Sequence, residues 1–186
     1  AASSAATSLT ITLNGVTAGN AIVAYMACWV NKDAVLVDTV TDGGNTFTVR
    51  QGSAESGVDF GSQAAVAVAV NVTGGNRTVS FNISGSDGLA FYVLGCSEYS
   101  GVATSAPEDT WDTNENQDIT TLDANAGPIT TTESGDLLVG VATITDTSDA
   151  AQGWASPTSW TNRYRQNDAV TYTGMDAGEW LPGAIQ

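Results

Sequence analysis

The chain has 186 residues, 42% hydrophobic and only 13% charged, with twenty acids against five bases and a formal charge of −15; soluble domains usually carry about 25% charged residues, so solubility here rests on Thr, Ser, Asn, Gln and Gly. This acidic balance repels phosphate backbones and anionic lipid, which argues against nucleic-acid and membrane-surface binding. There is no histidine, so the Ser-His-Asp triad and imidazole metal sites are absent together.

A chain of this length is expected to form a single domain, residues 1–186, that buries roughly 70% of its unfolded surface without a metal or a disulfide. It opens AASSAATS with no initiator Met, as the mature end left by a signal peptidase does, or as a shortened chain does. The first strand is predicted over Ser8–Leu13, where Leu9, Ile11 and Leu13 alternate with Thr10 and Thr12. Asn14-Gly15 ends it, and Gly19-Asn20 precedes a second strand, Ala21–Val30. No window reaches the ~18 apolar residues of a membrane-spanning helix. Ala34–Val40 and Thr46–Arg50 read as a hairpin across Asp42-Gly43-Gly44-Asn45, and residues 51–61 as a Gly/Ser loop.

Ser62–Gly101 is the clearest stretch: three strand-like runs joined by turns at Thr73-Gly74-Gly75-Asn76 and Gly85-Ser86-Asp87-Gly88, a meander. In its middle run Val79, Phe81 and Ile83 alternate with Thr78, Ser80 and Asn82, giving one apolar and one wet face. The flanking runs, Ala64–Val70 and Leu89–Leu94, are apolar on both faces, as strands deep in a sheet can be. An acidic excursion follows from Glu98 to Asp118. Strands resume at Ile129–Thr132, Asp136–Thr145, Trp160–Arg165 and Ala169–Thr173, with a loop over Asp146–Pro157. The end, GMDAGEWLPGAIQ, offers no good strand, so the domain is expected to lack its closing C-terminal strand. No segment shows helical apolar spacing. The pattern predicts an all-β, antiparallel two-sheet β-sandwich with essentially no helix.

The turn Val40-Thr41-Asp42-Gly43-Gly44-Asn45-Thr46-Phe47 is followed by an Ala/Val strand and then by Gly75-Asn76-Arg77-Thr78-Val79. Next come Cys96-Ser97-Glu98-Tyr99-Ser100-Gly101-Val102 and Glu133-Ser134-Gly135-Asp136-Leu137-Leu138-Val139. From about residue 8 to 175 this order resembles the jelly-roll-like β-sandwich modules of bacterial extracellular proteins and phage structural proteins. The resemblance implies an extracellular, cell-surface or virion location and brings no catalytic residues. It departs at the C-terminus, where such modules continue with further strands.

Candidate sites are few. Cys28 and Cys96 lie in apolar strand runs, either as buried thiols or as one disulfide tying two strands. Glu98 with Asp109 or Glu108 is a candidate carboxylate pair for acid–base work, set against the chance pairing that twenty acids produce. Asp112, Asn114, Asn116 and Asp118 place oxygen ligands at alternate positions, as in the first half of a calcium loop; Gln117 stands where that loop needs Gly, and a solvated acidic loop is the competing reading. Asn71, Asn76 and Asn82 each begin an Asn-x-Ser/Thr pattern, or a chance match in a strand rich in these residues. Trp160 and Tyr172 sit at strand positions and read as core, whereas Trp154 and Trp180 sit in loop-like sequence and suit contact with a ligand or neighbour.

These features point first to a non-enzymatic structural or interaction module of an extracellular assembly, filament or virion. Its partners are copies of itself or other surface proteins, joined by strand addition at an unfinished sheet edge. The alternative is a carbohydrate-binding module assisted by calcium. No cofactor is required by either.

Overall fold

Ten strands run through the residues that the computed structural model describes, namely 8–30, 36–52, 61–84, 89–113, 129–132, 135–145, 161–168 and 173–180. They are β1 (Ser8–Val16), β2 (Ala21–Val30), β3 (Leu36–Thr41), β4 (Thr48–Gln51), β5 (Gly61–Ala69), β6 (Gly75–Ser84), β7 (Leu89–Tyr99), β8 (Leu138–Thr145), β9 (Thr161–Asp168) and β10 (Thr173–Trp180). There is no helix among the described residues, and every strand pairing is antiparallel. The expected all-β two-sheet sandwich is present: sheet A, in the order β1-β6-β3, packs on sheet B, in the order β4-β5-β2-β7. The last three strands form a further small sheet C, β8-β10-β9, on the outer side of sheet B.

β2 shows why three layers form. Its residues from Ala21 to Cys28 are all buried, although successive side chains on a strand point to opposite faces. Ile22, Ala24, Met26 and Cys28 enter the core between sheets A and B, with Leu9, Val40, Val79 and Phe81 from the other side. Val23, Tyr25 and Ala27 enter a second cluster with Val66, Val68, Val139 and Val141. β5 divides the same way: Ala65, Ala67 and Ala69 face sheet A, whereas Val66 and Val68 face β8. The doubly apolar runs of the sequence thus mark the middle layer of the stack. β6 belongs to the outer sheet A, which is why only one of its faces is apolar.

This layering corrects several expectations. Ser62–Gly101 is not a meander: β5 and β7 both pair with β2 in sheet B, while β6 crosses to sheet A. The predicted hairpin over residues 34–50 is a corner instead. β3 pairs with β6 and β4 with β5, and only a single bridge, Thr41↔Thr46, joins the two arms. Two Gly residues in the turn let the chain change sheets rather than fold back. Residues 129–132 are described and contain no strand. The stretch after Thr173 does form a strand: β10 pairs with β8 from Thr173↔Thr145 to Trp180↔Leu138, and with β9 on its other side. Its alternation is hidden in the sequence by Gly174 and Gly178 and by the acids Asp176 and Glu179.

Two bulges set the side-chain pattern of sheet A. Between Val37 and Thr39 the register with β6 slips by one residue, so Val37 and Val40 are both buried while Asp38 and Thr39 are both exposed. Between Leu13 and Val16 the same happens in β1, with Gly15 at φ +71°, a conformation that costs glycine little.

Candidate interaction sites

The outer face of sheet A is polar and almost uncharged. In register across it stand Ser8, Asn82 and Thr39, then Thr10, Ser80 and Thr41, then Thr12 and Thr78. The side chains brace one another: Thr12 and Thr78 hydroxyls lie 3.1 Å apart, and Asn82 Nδ2 donates to Thr39 Oγ1 at 2.9 Å. Asp38 lies at the rim and accepts from Ser84 Oγ at 2.7 Å. These groups are on short, β-branched or amide side chains, so the face is rigid.

The edges of sheet A are blunted. β1 and β3 each carry a bulge. The side-chain amide of Gln51 also clamps β3: its Oε1 accepts from Val37 N at 2.9 Å and its Nε2 donates to Val37 O at 3.1 Å. Gln51 thereby occupies hydrogen-bonding positions that an added strand would need.

One end of the sandwich is held by polar side chains. Asp42 Oδ1 accepts from Gly44 N at 3.1 Å and Asn45 N at 2.8 Å, an Asx turn. Asn45 Oδ1 in turn accepts from Thr73 N at 3.0 Å and Thr73 Oγ1 at 3.1 Å. Arg77 Nη2 donates to Gly74 O, and its Nε is buried with no hydrogen-bond acceptor. Gly74 itself is required: a Cβ there would sit 2.9 Å from Ala18 N and 3.0 Å from Val16 O, both backbone atoms. Burial works against ionisation of Asp42, but the hydrogen bonds from Asn45 and Gly44 and the charge of Arg77 outweigh it and hold the carboxyl below its ordinary range. At the neighbouring turn Glu98 Oε1 accepts from Thr17 N at 2.8 Å and Asn20 Nδ2 at 2.6 Å, and these bonds lower its pKa.

Beside β4 the acidic excursion makes its own contacts. Arg50 donates twice to Glu108, Nε to Oε2 at 2.8 Å and Nη2 to Oε1 at 2.6 Å, and Nη1 donates to Val49 O at 3.2 Å. The Arg50 guanidinium carbon lies 4.9 Å from the centroid of the Trp111 ring. Asp109 accepts from Thr132 N at 2.6 Å and Thr132 Oγ1 at 2.7 Å, which lowers its pKa and ties the excursion to residues 129–132. Trp111 is 48% exposed, the most exposed large apolar side chain among the described residues.

The sequence-predicted residues fare unequally. Glu98 caps the turn at Thr17 and Asn20, whereas Glu108 and Asp109 tie the excursion to Arg50 and Thr132. Asp112 is exposed and its Oδ1 accepts from Thr113 N at 2.8 Å; Asn114, Asn116 and Asp118 lie outside the described residues, as does Trp154. Among the described residues no three Cys, Asp or Glu side chains converge on a metal position. Trp180 ends β10 opposite Leu138, a strand position rather than the loop expected. Asn76 Oδ1 accepts from Gly15 N at 3.0 Å and Asn82 braces sheet A. Trp111 was not singled out by sequence; the signal was a lone indole in an acidic, Pro-containing segment without apolar period.

Of the two readings of the cysteines, the structure has the buried thiols: Cys28 and Cys96 are buried and are not joined by a disulfide. Cys96 stands opposite Ala24, so Cys28 lies four residues further along the ladder, about 13 Å at the rise of a strand and well beyond the ~7 Å a bridge can span. Burial pushes both thiols up to about 12. A thiol reagent at pH 8 is therefore expected to label neither cysteine in the folded protein and both after denaturation, read by intact mass; rapid labelling of the folded chain contradicts this placement. No family model, curated protein or solved structure matches the chain.

Proposed function

We propose that the chain is a non-enzymatic, jelly-roll-like structural module of an extracellular surface assembly, filament or virion, and that copies meet through the outer face of sheet A. The observation that carries this reading is the face itself. In a chain of formal charge −15, Ser8, Thr10, Thr12, Thr39, Thr41, Thr78, Ser80 and Asn82 make a broad, rigid area without charge at its centre. Two equally acidic copies repel each other least across such an area, where no charge is buried and the desolvation of hydroxyl and amide groups is offset when they pair.

Face contact takes the place of strand addition as the proposed mode. The reason for strand addition was an unfinished C-terminal edge, and β10 occupies that stretch. The bulges in β1 and β3 and the Gln51 clamp also disfavour pairing at the edges of sheet A.

Sedimentation of the purified chain tests the reading. Association is expected to grow with concentration and with salt, because screening over a Debye length of about 10 Å at 0.1 M weakens the self-repulsion. Ser80→Asp places a charge at the centre of the face and is expected to return the protein to monomer with an unchanged melting temperature. A monomer of 19.0 kDa at every concentration and salt overturns the proposal.

A further inference from the structure

We infer that Trp111 is a stacking platform for a neutral pyranose ring, on a site separate from the face of sheet A. An indole left nearly half exposed at 48% is normally either mobile or collapsed onto the body of the protein, since its apolar area is large. Here it is neither. One side rests on the Arg50 guanidinium at 4.9 Å from the ring centroid. The guanidinium is itself locked by two bonds to Glu108 and one to Val49 O. The segment carrying the indole is tied a second time to the body of the protein by Asp109 to Thr132. A rigid, presented aromatic loses little freedom on meeting a flat apolar partner, which is the condition for affinity from a single ring.

The surroundings narrow the ligand class. Glu108, Asp109 and Asp112, all within three residues of Trp111 in the chain, are exposed, and the chain is strongly acidic, so nucleotides, uronic acids and sulfated sugars are repelled. A cation already fills one face of the π system and draws density from the other, so a second cation gains less than it would on a free indole. What remains is an uncharged ring with an apolar C–H face and hydroxyls at its edge. The C–H face stacks on the indole, and the hydroxyls donate to carboxylate oxygens, which are strong acceptors.

Affinity electrophoresis through gels containing soluble neutral polysaccharides (β-glucan, galactomannan, xylan), backed by an array of neutral oligosaccharides, is the test. At least one neutral probe is expected to bind the native chain, while polygalacturonate does not. Trp111→Ala is expected to weaken that binding about tenfold or more, the scale of an aromatic anchor, with an unchanged melting temperature. Trp111→Phe retains part of it, and Arg50→Gln, which leaves the ring unsupported, weakens it severalfold. No binding of any neutral probe overturns the inference, as does binding that Trp111→Ala leaves intact. Capture of a proline-rich peptide by the same ring, with no glycan bound, overturns it in favour of a peptide site. Self-association through sheet A is unaffected by these variants, so either proposal can fail alone.

Discussion

Tyr25→Ala is expected to lower stability by about 3–5 kcal/mol, the range for large buried aromatics. In a domain of this size each kcal/mol moves the melting temperature by roughly 2–4 °C, so the midpoint falls by about 6–20 °C. Tyr25 is fully buried, yet it points away from the core between sheets A and B. Its ring packs in the cluster of Val23, Ala27, Val66 and Val68, with Val139 and Val141 from β8 over them. Its hydroxyl lies 3.3 Å from that of Tyr99. The substitution therefore measures whether sheet C is bound to sheet B. Were the fold two layers only, Tyr25 would stand on a wet face, and its loss would cost within about 0.5 kcal/mol. Urea and thermal melts read the difference directly. Phe81→Ala, on the sheet A side, sets the scale: the two variants are expected to cost the same within a factor of two. Tyr25→Phe keeps the ring and removes only the hydroxyl pair, and about 1 kcal/mol is expected for it.

How much of this was legible beforehand depended on whether a residue's role is local. Period-two alternation and short continuous apolar runs are both local, so β1 and β6 stand close to where the alternation around Leu9 and Phe81 placed them, and β2, β5 and β7 close to the apolar runs around Ile22, Ala65 and Leu94. Layer membership is not local. The doubly apolar pattern of β2 and β5 was visible, but a strand buried on both faces reads the same whether neighbours flank it in a sheet or cover it from two sides. Val141 and Val66 settle that only by meeting. The corner at Asp42-Gly43-Gly44-Asn45 carried the chemistry of a hairpin turn, and that chemistry is shared by turns that change sheets. β10 was missed because Gly174, Asp176, Gly178 and Glu179 suppress β-propensity, while pairing on both sides outweighs it.

The polar contacts were the least legible. Nothing near Arg50 in the sequence points to Trp111 or Glu108, and a single indole among acids has no periodic context. Glu98 drew attention as an acid near other acids, but its work is to cap the turn at Thr17 and Asn20. The Asn-x-Ser/Thr triplets similarly resolve in part into bracing: Asn76 and Asn82 spend their amides on Gly15 and Thr39.

Asp42→Ala is expected to cost about 2–4 kcal/mol at pH 7, because one carboxylate serves several donors at once. Removing it leaves Gly44 N and Asn45 N without their acceptor, frees the Asn45 amide that holds Thr73, and strips Arg77 of its nearby negative charge. Arg77 already has a buried Nε with no partner, so losing its counter-charge is the larger part of the cost. The pH dependence separates this from loss of packing. In the folded protein the Asp42 carboxyl is held below its ordinary range, while in the unfolded chain it titrates near 3.9. A lowered folded pKa gives stability that is complete above the unfolded value and is lost as pH falls through the folded one. Glu98 and Asp109 shift in the same direction, so the native protein is expected to lose stability steadily below about pH 5. Those two groups are common to both proteins and cancel in the difference. The gap between native and Asp42→Ala should therefore narrow as pH falls from about 5 toward 2, in urea melts taken at each pH. Asp42→Asn keeps an oxygen for Gly44 N and Asn45 N but gives up both the charge and the second oxygen, which accepts from Asn45 Nδ2, so a loss smaller than that of Asp42→Ala is expected. A gap that stays constant across this window would show that Asp42 acts through shape alone, and that the corner is not held by its charge.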